Sequence, residues 1–126
     1  MKLGHVGIPV KNQAASKAFY DAIAPHVGLE FVDEEDGFVG YGHGKTYEFY
    51  IHTDKPGLSG LHICFEVDTK EAVDNFHKAA MEAGGTDNGA PGIREAYSPT
   101  YYAAFVLDPN ENNIEALFRS KSIGQE

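Results

Sequence analysis

The sequence is poor in cysteine and in positive charge, and each shortage excludes a class of protein. Cys64 is the one cysteine in 126 residues, so neither an internal disulfide nor a zinc-finger framework can form. Ten Lys and Arg stand against nineteen Asp and Glu, and this net charge of −9 disfavours nucleic acid and anionic lipid as partners. Residues 1–10 contain one lysine and no long apolar run, unlike a signal peptide or a membrane anchor. We therefore expect a cytoplasmic protein that binds a small molecule.

The sequence also lacks a linker rich in proline or serine, and it has no low-complexity tract. A chain of 126 residues has the usual length of one compact domain. We expect a single domain made of two half-sized modules, at about 1–56 and 57–126.

An internal repeat is the basis for this division. Residues 5–20 align without a gap over residues 62–77, an offset of 62 − 5 = 57 residues. In each segment a histidine, His5 or His62, opens a strand of alternating apolar residues, and a polar turn then leads into an amphipathic helix. Asn12 and Thr69 are expected to cap the two helices.

Short strand-like runs separated by Gly, Pro, Asn and Asp follow each predicted helix. Together they predict an α+β fold of two βαβββ modules that form a curved mixed sheet. The segment from Gly89 to Thr100 is expected to be a loop. The predicted strands are 28–32, 37–42 and 47–53 in the first half, and 101–108 and 112–118 in the second.

A metal site follows from the alternation of side chains along these strands. If the helices cover one face of the sheet, His5, His62 and Glu115 all point to the other, concave face. Two imidazoles and a carboxylate suit a divalent first-row metal and leave coordination positions for water or a bidentate substrate. A weaker match, of residues 47–51 with 114–118, places Glu48 at the equivalent of Glu115 and makes it a candidate fourth ligand.

The stretch from Phe105 to Glu115, with Asp108, Pro109, Asn112 and Ile114, resembles the F-x-x-D-P-x-G-N-x-I-E signature of the vicinal-oxygen-chelate superfamily. This superfamily includes glyoxalase I, bleomycin-resistance proteins, fosfomycin-modifying enzymes and extradiol dioxygenases. The chain has Glu111 where the family usually has glycine. The resemblance covers nearly the whole chain and implies that His5, His62 and Glu115 hold Ni, Zn, Co, Mn or Fe. Either Glu48 or, after a shift of two residues, Tyr50 would occupy the fourth ligand position.

The resemblance implies a metal-dependent lyase or isomerase of the glyoxalase type, in which Glu115 or Glu48 moves a proton. The alternatives are an Fe(II) extradiol-type dioxygenase and a metal-free binding protein of the bleomycin-resistance type. Homodimers are common in the superfamily, and the site closes either within one chain or across two. The residues expected to line the substrate site are Tyr50, His52, Cys64, Arg94, Tyr97 and Tyr101.

Overall fold

The predicted order of helices and strands occurs twice in the computed structural model, which describes residues 3–54 and 59–120. The predicted boundary between the modules, near residue 56, lies outside these residues. The first unit contains β1 (Val6–Pro9), α1 (Gln13–Ile23) with a 3-10 turn (Ala24–His26), β2 (Glu30–Glu35), β3 (Phe38–His43) and β4 (Thr46–His52). The second contains β5 (His62–Glu66), α2 (Lys70–Glu82), β6 (Thr86–Ile93), β7 (Tyr101–Leu107) and β8 (Asn113–Arg119).

Each unit forms one four-stranded mixed sheet, and the two sheets have the same topology. The strand orders are β1-β4-β3-β2 and β5-β8-β7-β6, and in each sheet the first and last strands of the unit pair in parallel. The α+β prediction of two βαβββ units is therefore confirmed. None of the helices in residues 3–54 and 59–120 is long and apolar enough to cross a membrane.

The two helices begin where the sequence predicts. The side chain of Asn12 accepts a hydrogen bond from the Ala15 amide at 2.9 Å, and Thr69 accepts one from the Ala72 amide at 3.0 Å. Their apolar faces enter one core that both units share, in which α1 contacts α2 and Phe49 contacts Phe65 edge to face. Because the helices cover one side of the sheets, the opposite side remains open for polar side chains.

The strand β6 was predicted as a loop from Gly89 onward, and this prediction was wrong. Gly89, Pro91 and Gly92 give the segment no alternating pattern, yet it pairs with β7 through a ladder interrupted at Gly89. The strand lies at the edge of its sheet, where proline and glycine are tolerated because one row of backbone groups needs no strand partner.

The turn of the family signature connects the two units through buried hydrogen bonds. The Asp108 carboxylate, 3% exposed, accepts the Tyr20 hydroxyl of α1 at 2.5 Å and the backbone amides of Asn110 and Asn112. Asp108 therefore shapes its own turn and also holds the helix of the other unit.

The two asparagines of this turn extend the connection to the first strand of each unit. The side chain of Asn110 accepts the Lys11 amide at the end of β1, and that of Asn112 accepts the Leu61 amide before β5. Glu111, between them, has a φ of 64°, which favours glycine and explains the glycine that relatives have there. The turn of the signature thus has a structural role. Phe105 and Glu115, at the two ends of the signature, face the open side of the sheet.

Candidate metal and substrate site

The second sheet brings His62 and Glu115 together. His62 begins β5 and Glu115 lies on the neighbouring strand β8, where its Cα pairs with that of Cys64. The His62 Nε2 atom is 3.0 Å from Glu115 Oε1, and the Glu115 side chain is only 3% exposed. A carboxylate buried to this degree needs donors or a cation around it.

The orientation of the imidazole is set by the backbone and by an aromatic ring. The His62 Nδ1 atom is 3.0 Å from the Asn113 carbonyl oxygen, which can only accept, so Nδ1 carries the hydrogen in this contact. The Phe105 ring stacks against the imidazole with an interplanar angle of 22°. Phe105 thus faces the open side, which alternation along the sequence does not reveal because both faces of β7 are apolar.

The donor set fits a divalent cation. With the hydrogen on Nδ1, a neutral His62 presents the Nε2 lone pair, so Nε2 and Glu115 Oε1 together could bind one cation. Their separation of 3.0 Å is what two ligands at right angles give when each lies about 2.1 Å from one ion. Within residues 3–54 and 59–120, however, no three His, Cys, Asp or Glu side chains approach closely enough to hold a metal.

Two further groups contact the Glu115 carboxylate. The Tyr101 hydroxyl donates to Oε2 at 2.5 Å, and burial followed by this carboxylate raises the pKa of Tyr101, so the phenol stays a donor. Cys64 pairs with Glu115 across the strands, and burial, followed by the Glu115 charge, raises the pKa of its thiol to about 12. The Glu115 carboxylate is therefore in contact with His62 on one oxygen and with Tyr101 on the other.

These residues open onto a cleft of about 670 Å³. Tyr97 and Ser98 form part of its wall, and Arg119 at the end of β8 lies at the same cleft. Tyr97 and Tyr101 are thus placed together with His62 and Glu115, as expected of lining residues. The cleft is lined by His62, Tyr97, Ser98, Tyr101, Phe105, Asn113, Glu115 and Arg119.

Arg94 is directed elsewhere. Its guanidinium donates to the carbonyl oxygens of Ala90 and Gly92 in the preceding strand and lies 5.4 Å from the Phe105 ring centre. A Cβ atom at Gly89 would be within 3.0 Å of this guanidinium, which gives one reason for glycine in β6. Among the described residues Arg119, which the sequence did not single out, is the arginine of the cleft.

The first sheet holds the other predicted ligand, His5, away from the His62 pair. His5 lines a second cleft of about 620 Å³ with Glu48 and Cys64, and its ring centre is 5.8 Å from that of Tyr50. The structure therefore places the predicted ligands at two separate clefts, His5 at one and the pair of His62 and Glu115 at the other.

Strand register decides between Glu48 and Tyr50 as the equivalent of Glu115. Gly7 pairs with Tyr50 in the first sheet, and Cys64, which is Gly7 displaced by the 57-residue repeat, pairs with Glu115 in the second. Tyr50 thus stands in the place of Glu115, and the match that aligned Glu48 there is two residues out of register. The match aligned the two glutamates by residue type, whereas pairing with β1 and with β5 sets the register. A bulge of one residue in β4, opposite Tyr41 and Gly42, also interrupts its pairing with β3.

Glu48 itself forms an exposed pair with His43 across the β3–β4 hairpin. Its carboxylate is 2.5 Å from His43 Nδ1, and this contact raises the pKa of His43. Tyr50 and His52 follow on the same strand face, with ring centres 5.8 Å apart.

Comparisons with known proteins agree with the fold. The family model of the glyoxalase/bleomycin resistance protein/dioxygenase superfamily matches residues 2–116. A glyoxalase/bleomycin resistance protein from Albidiferax ferrireducens is 30% identical, with a TM-score of 0.80 over 92% of this chain and 98% of its own. A search of curated proteins gives no significant match.

More distant structures share the fold alone. A lactoylglutathione lyase from Agrobacterium tumefaciens is 17% identical, with a TM-score of 0.68 over 93% of this chain and 92% of its own. A fosfomycin resistance protein from Mesorhizobium loti is 14% identical, with a TM-score of 0.69 over 94% of this chain and 92% of its own.

Proposed function

Because the chain belongs to the glyoxalase/bleomycin resistance protein/dioxygenase superfamily, we propose that it is a metal-dependent, glyoxalase-like lyase or isomerase. Its substrate would be a small molecule that offers two adjacent oxygens. The observation that carries the proposal is the pair of His62 Nε2 and Glu115 Oε1, 3.0 Å apart at the floor of an open cleft. A divalent ion held there would act as a Lewis acid on a substrate oxygen.

We propose that His5 of a second copy completes the ligand set. His5 and the His62 pair line separate clefts of one chain. In a twofold dimer each chain can give its His5 to its partner's His62 and Glu115. Two sites would then form from four half-sites.

Mixing two variants tests this arrangement. His5→Ala and His62→Ala should each bind no metal alone. After unfolding and refolding together, half of the dimers are mixed and each contains one intact site, so metal content should return to about one quarter of the wild-type value. If the site lay within one chain, the refolded mixture would bind no metal.

The proposed proton carrier is Glu115, with Glu48 as the second candidate. The Tyr101 hydroxyl holds Glu115 Oε2, which leaves Oε1 directed into the cleft beside His62. Glu48 is exposed and already paired with His43, so its transfer of a proton requires that this contact be released.

Hydrogen exchange in deuterium oxide separates these roles. Metal-loaded protein should exchange the α-hydrogen of a simple hydroxyketone such as hydroxyacetone or benzoin, as followed by proton NMR. Glu115→Gln should abolish exchange, and Glu48→Gln should retain it. Exchange that depends on Glu48 alone would assign the base to the first sheet.

The same ligands also suit a dioxygenase. With Tyr50 in the fourth position, His5, His62 and Glu115 would form a set of two histidines and one carboxylate, the set that non-haem iron oxygenases use. Stoichiometric iron, together with oxygen consumption on adding a catechol, would favour this reading over the lyase.

A metal-free binding protein is favoured by one feature of the first sheet. Phe38, Tyr47 and Tyr50 form a run of contacting rings with centres 5.2 and 5.3 Å apart. A Cβ atom at Gly7 or Gly40 would overlap Tyr50 or Tyr47, so the glycines let these rings lie flat on the strands. Binding of a planar aromatic compound to chelator-treated protein at the same affinity as to metal-loaded protein would support this alternative.

A further inference from the structure

Arg119 introduces positive charge into the cleft of His62 and Glu115. It ends β8, four residues after Glu115 and on the same face of the strand. Among the described residues that line this cleft, it is the one Lys or Arg. A positive group beside a candidate metal site, in a protein with a net charge of −9, is a specific feature of the cleft and not of the surface as a whole.

The partner that Arg119 has in this structure is easily displaced. Its Nη2 atom is 3.2 Å from Glu66 Oε1, and its Nε atom is 3.4 Å from Oε2. The two side chains are 53% and 55% exposed, and ion pairs so exposed to water contribute little. A carboxylate that arrives from the cleft can therefore replace Glu66, or share the planar guanidinium with it.

We propose that Arg119 binds an anionic group on the substrate while the opposite end of the same substrate lies at His62 and Glu115. The inference rests on the proposed metal-dependent function. It narrows the substrate class to small acids that carry a carboxylate away from their two adjacent oxygens.

The strand sets the length of such a substrate. Residues four apart in a strand have Cα atoms separated by about 13 Å. The Glu115 and Arg119 side chains lie on the same face of β8, so a ligand that contacts both spans on the order of 10 Å. Tyr101 pairs with Arg119 across the strands, and its hydroxyl contacts Glu115, so this residue connects the two ends. The Tyr97 ring lies 5.0 Å from that of Tyr101, centre to centre, and the two rings suit a carbon chain.

A series of hydroxamates tests the proposal without knowledge of the substrate. Acetohydroxamate binds a metal through two adjacent oxygens, and its homologues with a terminal carboxylate after two to six methylene groups add the proposed anion. Affinity for the nickel-loaded dimer is measured by calorimetry for the wild type, Arg119→Gln and Glu66→Gln. Lys17→Gln is the control, because it removes a positive charge from an exposed pair on α1.

The wild type should bind one of the carboxylated homologues about tenfold more tightly than acetohydroxamate, since a charge-assisted hydrogen bond is gained. Arg119→Gln should lose this preference, Glu66→Gln should increase it, and Lys17→Gln should keep it. Acetohydroxamate itself should bind all four proteins alike.

Equal affinity for the whole series in the wild type, or a preference that Arg119→Gln retains, would overturn the role of Arg119 and leave the metal site intact. If nickel-loaded wild type binds no hydroxamate at all, the proposed function fails, and the inference fails with it.

Discussion

Replacing Tyr101 by phenylalanine removes one hydroxyl from the Glu115 carboxylate and should weaken both folding and metal binding. The carboxylate is 3% exposed, and the Tyr101 hydroxyl is 2.5 Å from its Oε2 atom. Loss of a hydrogen bond to a buried charged group should lower the free energy of unfolding by about 1.5–3 kcal/mol. A partner that orients a metal ligand typically contributes about 10- to 100-fold in metal affinity.

The neighbouring tyrosine provides a matched control. The Tyr102 hydroxyl donates to Asp74 at 2.6 Å, on the helix side and in contact with water. Tyr102→Phe should therefore change the free energy of unfolding by about 0.5 kcal/mol or less and leave metal affinity unchanged.

Urea denaturation in the presence of chelator gives the stability of both variants, and competition with a chromophoric chelator gives metal affinity. If Tyr101→Phe unfolds like Tyr102→Phe and binds metal as tightly as the wild type, the reasoning is refuted. A loss of stability without any loss of metal affinity would assign Tyr101 to folding alone.

Three further predictions concern the backbone and the thiol. Glu111→Gly should raise the free energy of unfolding by about 1 kcal/mol and Tm by about 3–5 °C, because the residue has a φ of 64°. Thermal denaturation checks this, with Glu111→Ala as the control whose Tm should not rise. Gly42→Ala should destabilise by about 3 kcal/mol or more in urea titrations, since its Cβ would overlap the Thr46 carbonyl oxygen, whereas Gly4→Ala, with open space around it, should cost less than about 0.5 kcal/mol. In chelator-treated protein at pH 8, the Cys64 thiol has a pKa of about 12 against an ordinary value of 9.0, so it should hold on the order of a thousandfold less thiolate than in the unfolded chain. Alkylation by iodoacetamide as fast as in urea would contradict this.

The fold could be predicted from the sequence because its repeat lies in the period-2 strands and their capped helices. The offset of 57 residues that aligns His5 with His62 also aligns β1 with β5 and the start of α1 with that of α2. Strand alternation and helix caps depend on residues close in the sequence, so they can be read before the tertiary contacts are known.

The bulge and the edge strand could not be predicted, because their causes are not local. The extra residue in β4, opposite Tyr41 and Gly42, appears only when β3 is paired beside it. The segment with Gly89 and Pro91 becomes a strand because β7 offers a partner at the sheet edge.

The sequence placed some residues of the candidate site and missed others, again because part of the information is not local. Alternation showed that Glu115 faces away from the helices, but β7 is apolar on both faces, so Phe105 could not be distinguished from a core residue. Arg119 stood near the C-terminus with no pattern around it, and its place at the cleft depends on the pairing of β8 with β5 and β7. Arg94, the arginine predicted to line the site, instead donates to the carbonyl oxygens of Ala90 and Gly92 in the preceding strand.

The metal content of protein purified without added metal or chelator tests the central claim most directly. Elemental analysis of the wild type should find close to one Ni, Zn, Co, Mn or Fe per chain, and His62→Ala should have lost it. His43→Ala is the control, since it removes a histidine that pairs with Glu48 on the exposed hairpin. Wild-type protein without metal, and without thermal stabilisation by any of these ions, would contradict the account and leave the metal-free binding protein in its place.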